Sequence, residues 1–165
     1  ELVRKISFEQ LGVEFHILGG GRQLPEIEAY IQQHPHCNVK AHGFVAKEEI
    51  ADRLREMDAG IVPLATRIRG AVPSKIYDIL PQGLPILFCG GGEGAHFINE
   101  HRVGMISSPG DYEALTQNIE KLNRMSDADY EAMSERCLQV SRNELDFDKQ
   151  IKQLAEFIQT LAKRG

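Results

Sequence analysis

Short apolar runs alternate with amphipathic stretches along this chain, and the two differ in period. VEFHIL (residues 13–18), NVKAHGFV (38–45), AGIVPL (59–64), LPILFC (84–89) and a run at about 104–107 are short and apolar, several of them rich in β-branched residues. They predict strands. Between them, apolar residues recur at helical spacing. Ile27, Tyr30 and Ile31 do so in 25–33, which starts on a proline, and Ile50, Leu54 and Met57 in 47–57. A short helix is expected at about 94–101. A longer one over 111–125 opens on Asp111 as N-cap and carries Leu115, Ile119 and Leu122 on one face. DADYEAMSERCLQVSRN predicts a further helix, and residues 147–164 a terminal one. Strands alternating with helices predict an α/β, Rossmann-like fold: a parallel sheet with helices on both faces. No internal repeat or linker interrupts the pattern, so residues 1–165 are expected to form one domain. ELVRKISFEQLG reads as the middle of a helix, so that domain is expected to be excised from a longer protein.

Ligands of such sheets sit beyond the carboxyl ends of the strands. Two glycine turns, GGGR (residues 19–22) and CGGGEG (89–94), follow strands and belong at that edge. Glycine turns after strands also serve purely structural ends. The segment PSKIYDILPQGLPI (73–86) is more informative. Ser74 is an N-cap candidate, Lys75 lies in the first turn, and Asp78 lies one turn on, on the same face. Pro81, Gly83 and Pro85 punctuate the exit into the next strand. A helix N-terminus with unpaired N–H groups suits a phosphate, a lysine beside it adds a point charge, and an acid one turn deeper can accept from a ribose diol. An intrahelical ion pair is the plainer reading of Lys75 and Asp78, but it leaves the flanking Pro, Ser and Gly unexplained.

Composition narrows the classes. Of 165 residues, 42% are hydrophobic, which is globular, and the formal net charge of −5 argues against nucleic acid or an anionic membrane as the main partner. Cys37, Cys89 and Cys137 show no metal-ligand spacing and are expected to be reduced thiols of a cytoplasmic protein. No apolar run approaches the roughly 20 residues that span a bilayer. His16 is expected to be packed or edge-exposed. His34 and His36 lie in a polar turn, and His96 and His101 are off the spacing of a helical metal pair. His42 adjoins a glycine turn where it can touch a ligand. No Ser/His/Asp or Cys/His arrangement stands out.

Taken in order, GGGR, NVKAHGFV, DAGIVPL, PSKIYDILPQGLPI, GGGEGAHFI and PGDYEAL resemble the C-terminal, nucleotide-sugar-binding domain of GT-B fold retaining glycosyltransferases of family four, the group 1 type. The resemblance covers roughly residues 13–125 and rests on joint order and spacing. It implies that Asp78 accepts the ribose hydroxyls and that Pro73, Ser74 and Lys75 meet the diphosphate. It further implies that the turn Gly43, Phe44, Val45 meets the base and that Gly20, Gly21 and Arg22 line the nucleotide cleft. Lys75 and Arg69 are the expected catalytic cations, with Arg67 near them; solvated loop arginines are the alternative for both. The chain departs from the family pattern at two places. A glutamate often found eight positions before the acid is Gly70 here, and the first strand, with its glycine loop and its own Arg and Lys, is not present before Val13.

The implied function is donor binding in a retaining transferase acting on a nucleoside diphosphate sugar, with no metal or other cofactor. The glycan or lipid-linked acceptor would be met through an N-terminal domain, as would any membrane contact, and the isolated chain is expected to be inactive. Two other readings stand beside it. A UDP-sugar epimerase half needs an acid and histidine constellation, and a non-catalytic α/β regulatory module of receiver type needs paired acids at the strand ends. Neither feature is evident.

Overall fold

A computed structural model describes residues 1–64, 66, 70, 72–145 and 147–162. The predicted strands are present, the first four shorter than their apolar runs and the fifth as expected: β1 (Phe15–Ile17), β2 (Val39–Ala41), β3 (Gly60–Pro63), β4 (Ile86–Cys89) and β5 (Gly104–Ser107). The helices are α1 (Leu2–Lys5), α2 (Phe8–Leu11), α3 (Leu24–Gln33), α4 (Lys47–Leu54), α5 (Lys75–Ile79), α6 (Glu93–His101), α7 (Tyr112–Asn123), α8 (Asp127–Glu144) and α9 (Phe147–Ala162). A 3-10 turn, Leu80–Gln82, continues α5. Asp111 caps α7 as expected, accepting from the Ala114 N–H at 3.0 Å.

The first dozen residues are not one helix. Ile6 is extended (φ −113°, ψ 126°) and separates α1 from α2. Val3, Ile6 and Phe8 are all buried in one cluster. On a continuous helix Phe8 would point about 140° away from Val3; the break lets all three reach the same core.

Alternation along β4 divides the interior. Ile86 and Phe88 face a core shared with Ile76, Leu80, Ile98 and Cys137, brought by α5, its 3-10 extension, α6 and α8. Leu87 and Cys89 face the opposite core, with Val3, Phe8, Leu115 and Ile119 from α1, α2 and α7. Both faces of this part of the sheet are therefore covered, which is why β4 is buried at every position.

The sheet is in two parts. β1 pairs with β2, and β3, β4 and β5 pair in that order, every pairing parallel. Two hydrogen bonds orient the parts. The Tyr112 hydroxyl, just after β5, donates to Glu1 at 3.3 Å, and the Asn123 amide at the far end of α7 donates to the Leu11 carbonyl, just before β1, at 3.2 Å. The α1–α2 segment thus runs alongside α7, and β1 starts at the edge where β5 starts. All five carboxyl ends lie at one edge. In the doubly wound strand order 3-2-1-4-5-6, removing strand 1 leaves these two groups, so the single sheet expected from the sequence is interrupted at that place.

α9 carries Ile151, Leu154, Phe157 and Ile158, all about half exposed or more. Among the described residues no helix is long and apolar enough to cross a membrane.

Candidate functional site

At the carboxyl edge the residues singled out in the sequence form two groups. The first joins the loops after β1 and β2. The Gly19 N–H donates to the Gly43 carbonyl at 2.8 Å, and the His42 N–H donates to the Ile17 carbonyl at 3.0 Å. These bonds stitch the GGGR loop to the HGFV turn. A shallow cavity of about 410 Å³ opens there, lined by residues 17–24 and Ile27. Gly20, Gly21 and Arg22 are exposed, and Val45 is half-buried. The Phe44 side chain is 86% exposed, beside the turn.

The second group is the start of α5. Ile76 (0% exposed), Ile79 (6%) and Leu80 (0%) turn inward, which forces Ser74, Lys75, Tyr77 and Asp78 outward. Burial of each apolar side chain stabilises by about 1.5–3 kcal/mol, so five helical residues are held firmly. α5 sits close against β3 because residue 60 is glycine: a Cβ there would come within 2.6 Å of Ile79 Cδ1. Lys75 Nζ lies 3.5 Å from Asp78 Oδ2, so the predicted one-turn pair forms on the exposed face. Pro73 abuts the first turn of α6, where a Cβ on Gly94 would meet Pro73 Cδ at 3.1 Å and Phe88 Cζ at 2.7 Å. The second glycine turn therefore packs directly on the PSK segment.

Ser74 differs from expectation. Its backbone is already helical (φ −58°, ψ −25°), and its hydroxyl makes no capping bond. The first turn is closed instead by carbonyls, with the Ile76 N–H donating to Pro73 O at 3.1 Å and the Tyr77 N–H to Ser74 O at 3.0 Å. Among the described residues no backbone hydrogen bond engages the Ser74 or Lys75 N–H. Arg67 and Arg69, the expected cations of the preceding loop, lie outside the described residues. Gly70 has φ +74°, a conformation that disfavours a glutamate at this place.

The structure joins Gly19 to Gly43 and Pro73 to Gly94. Between these two groups lies the interruption of the sheet. One feature was not singled out in the sequence. His16, on β1, and His42, just after β2, place Nδ1 and Nε2 3.1 Å apart. Glu14 reaches His16 from the other side, and the hydrogen bond and charge of Lys40 hold its carboxyl below the usual range. The alternation of His16 with Phe15 and Ile17 predicts which face it takes, but only strand pairing brings residue 42 beside it.

A parallel sheet with helices on both faces and glycine loops at its carboxyl edge is the architecture of one half of a GT-B glycosyltransferase, and solved structures agree. HepE from Anabaena, in complex with UDP and glucose, superposes with a TM-score of 0.75 at 19% identity, over 96% of this chain and 44% of that one. Sucrose-phosphate synthase from Thermosynechococcus elongatus gives 0.76 at 13% identity, over 99% and 43%. WaaG, a glycosyltransferase involved in lipopolysaccharide biosynthesis, gives 0.67 at 14% identity, over 87% and 38%. The chain thus spans less than half the length of these proteins. No curated protein sequence matches it. The sequence model of the group 1 glycosyl transferases matches residues 1–124, and the chain belongs to that family.

Proposed function

We propose that this chain is the donor-binding half of a retaining glycosyltransferase, which moves a sugar from a nucleoside diphosphate to a glycan or lipid-linked acceptor. The observation that carries the reading is the start of α5. Lys75 and Asp78 stand exposed on one face, three buried side chains fix the turn that bears them, and the turn lies at the edge where parallel sheets bind ligands. Asp78 accepts the ribose hydroxyls. Lys75 and the first N–H groups of α5 meet the diphosphate, where negative charge develops as the sugar leaves. Gly43, Phe44 and Val45 receive the base, Gly20, Gly21 and Arg22 close the cleft, and Arg69 supplies a second cation.

On this reading the edges of β1 and β3 that are unpaired among the described residues flank the place of a further parallel strand, which completes the doubly wound order. The crevice of such a sheet opens at that strand. The two groups of candidate residues then face one ligand from its two sides. HepE was solved with UDP and glucose, and with UDP-glucose. Those ligands are the model for the donor proposed here, and the acceptor is assigned to the half that this chain lacks.

Calorimetric titration with UDP, GDP, ADP and their monophosphates tests the assignment, beside Asp78→Ala. Asp78 is exposed, so the variant should fold and melt like the parent. One diphosphate should bind in preference to its monophosphate and lose about tenfold or more in the variant, the size of a charge-assisted hydrogen bond of about 1.5–3 kcal/mol. Equal binding by parent and variant removes Asp78 from the site.

A further inference from the structure

We infer that Glu14, His16 and His42 form a hydrogen-bonded relay that positions the Gly43–Val45 turn for the donor base and loosens it on acidification. The ligand in this inference rests on the donor reading above; the geometry stands without it.

His16 Nε2 lies 3.4 Å from Glu14 Oε2, and His16 Nδ1 lies 3.1 Å from His42 Nε2. An ionised carboxylate only accepts, so His16 Nε2 carries the proton in the first contact. Neutral His16 then has a bare Nδ1, and His42 Nε2–H donates to it. Lys40, on β2, pairs with the same carboxylate and keeps it ionised. The two imidazoles have centroids 5.0 Å apart and planes 25° apart. The relay therefore crosses from β1 to the residue that opens the turn. It runs beside the two backbone bonds that stitch the turn to the glycine loop.

With one proton beyond the two neutral rings, a single N–H still bridges the facing nitrogens. With two, both rings are imidazolium, N–H faces N–H across 3.1 Å, and the bridge is lost. Desolvation first, then His16, Arg53 and Lys40, push the His42 pKa below its ordinary value, and Glu56 opposes them. A histidine with a depressed pKa contributes stability that is present above its unfolded value, about 6.5, and is lost as pH falls below it. The intact turn thus excludes protons that a loosened turn accepts. By reciprocity, a ligand that needs the turn in place binds less tightly in acid.

The test is UDP titration of the 165-residue chain at about pH 7.5 and about pH 5.5, for the parent, His42→Ala and His42→Gln. The parent should lose about fivefold or more in affinity on acidification. His42→Ala should bind weakly at both pH values. His42→Gln retains an amide N–H that reaches His16 Nδ1 and does not titrate, so it should bind like the parent at neutral pH and keep that affinity in acid. Comparing Gln with the parent cancels the change in charge on UDP itself. An acid loss equal in the parent and the Gln variant overturns the inference, as does a parent whose affinity ignores pH. Imidazole ¹⁵N spectra provide a ligand-free arm. Both rings should be Nε2–H tautomers at neutral pH, with the Gly19 and Gly43 amides shifting as His42 titrates; other tautomers or unmoved amides overturn the relay. If the parent binds no nucleotide at either pH, the donor reading falls, and the ring spectra decide the relay alone.

Discussion

The Lys75–Asp78 pair is a weak one. Exposed at 74% and 44% of their side-chain surfaces, these groups form a contact worth about 0.2–0.5 kcal/mol. A ligand that takes the carboxylate with its ribose and the ammonium with its phosphate gives up little to separate them. The pair was legible in the sequence because one helical turn fixes its spacing. The capping role of Ser74 was not fulfilled, because Pro73 and Ser74 offer carbonyls to the first turn and the chain enters the helix one residue early. Thiol chemistry follows burial. Desolvation raises the Cys137 pKa to about 12, and its Sγ lies 3.7 Å from the Val103 carbonyl; Cys89 is buried and raised too, while Cys37 is only half-buried. A thiol whose folded pKa is raised keeps its proton, so its contribution is full below the unfolded value near 8.5–9 and is lost as pH rises toward 12. Stability to denaturant should therefore fall above about pH 9, and a thiol reagent should titrate Cys37 in the native chain but Cys89 and Cys137 only on unfolding. Rapid native labelling of all three contradicts this burial.

At the scale of elements, period and punctuation carried most of the fold. The strand positions, the amphipathic helices and the Asp111 cap follow from local pattern, and only the ends moved, where glycine or proline stops an apolar run from pairing along its length. The break at Ile6 was hidden because each half of residues 1–12 is helical by itself; the requirement to bury Phe8 with Val3 is tertiary. The contact between α6 and the PSK segment was hidden for the same reason. It makes Gly94 a sensitive position: Gly94→Ala places a methyl against Phe88 and Pro73. Overpacking of this kind costs about 1–3 kcal/mol, read as a lower denaturation midpoint, and it should weaken diphosphate binding by displacing Pro73. A variant as stable as the parent would mean that Phe88 and Pro73 yield freely and do not set the position of α5.

At the scale of the whole molecule, an α/β fold with parallel pairing was legible, but its division into two strand groups was not. Hydrophobic alternation says that a segment is a strand; it does not say which strands are neighbours. The division carries the functional argument, because it places the Gly19–Gly43 loops on one side of the interruption and the Pro73–Asp78 turn on the other, with every carboxyl end at one edge. In the proposed function one nucleoside diphosphate spans both. The most direct measurement is an amide chemical-shift map of the chain titrated with UDP, GDP and ADP. One of them should shift the amides of residues 19–22, 43–45 and 74–78 together, with a common affinity. Shifts confined to a single group, or lying at the amino edge of the sheet, would contradict it.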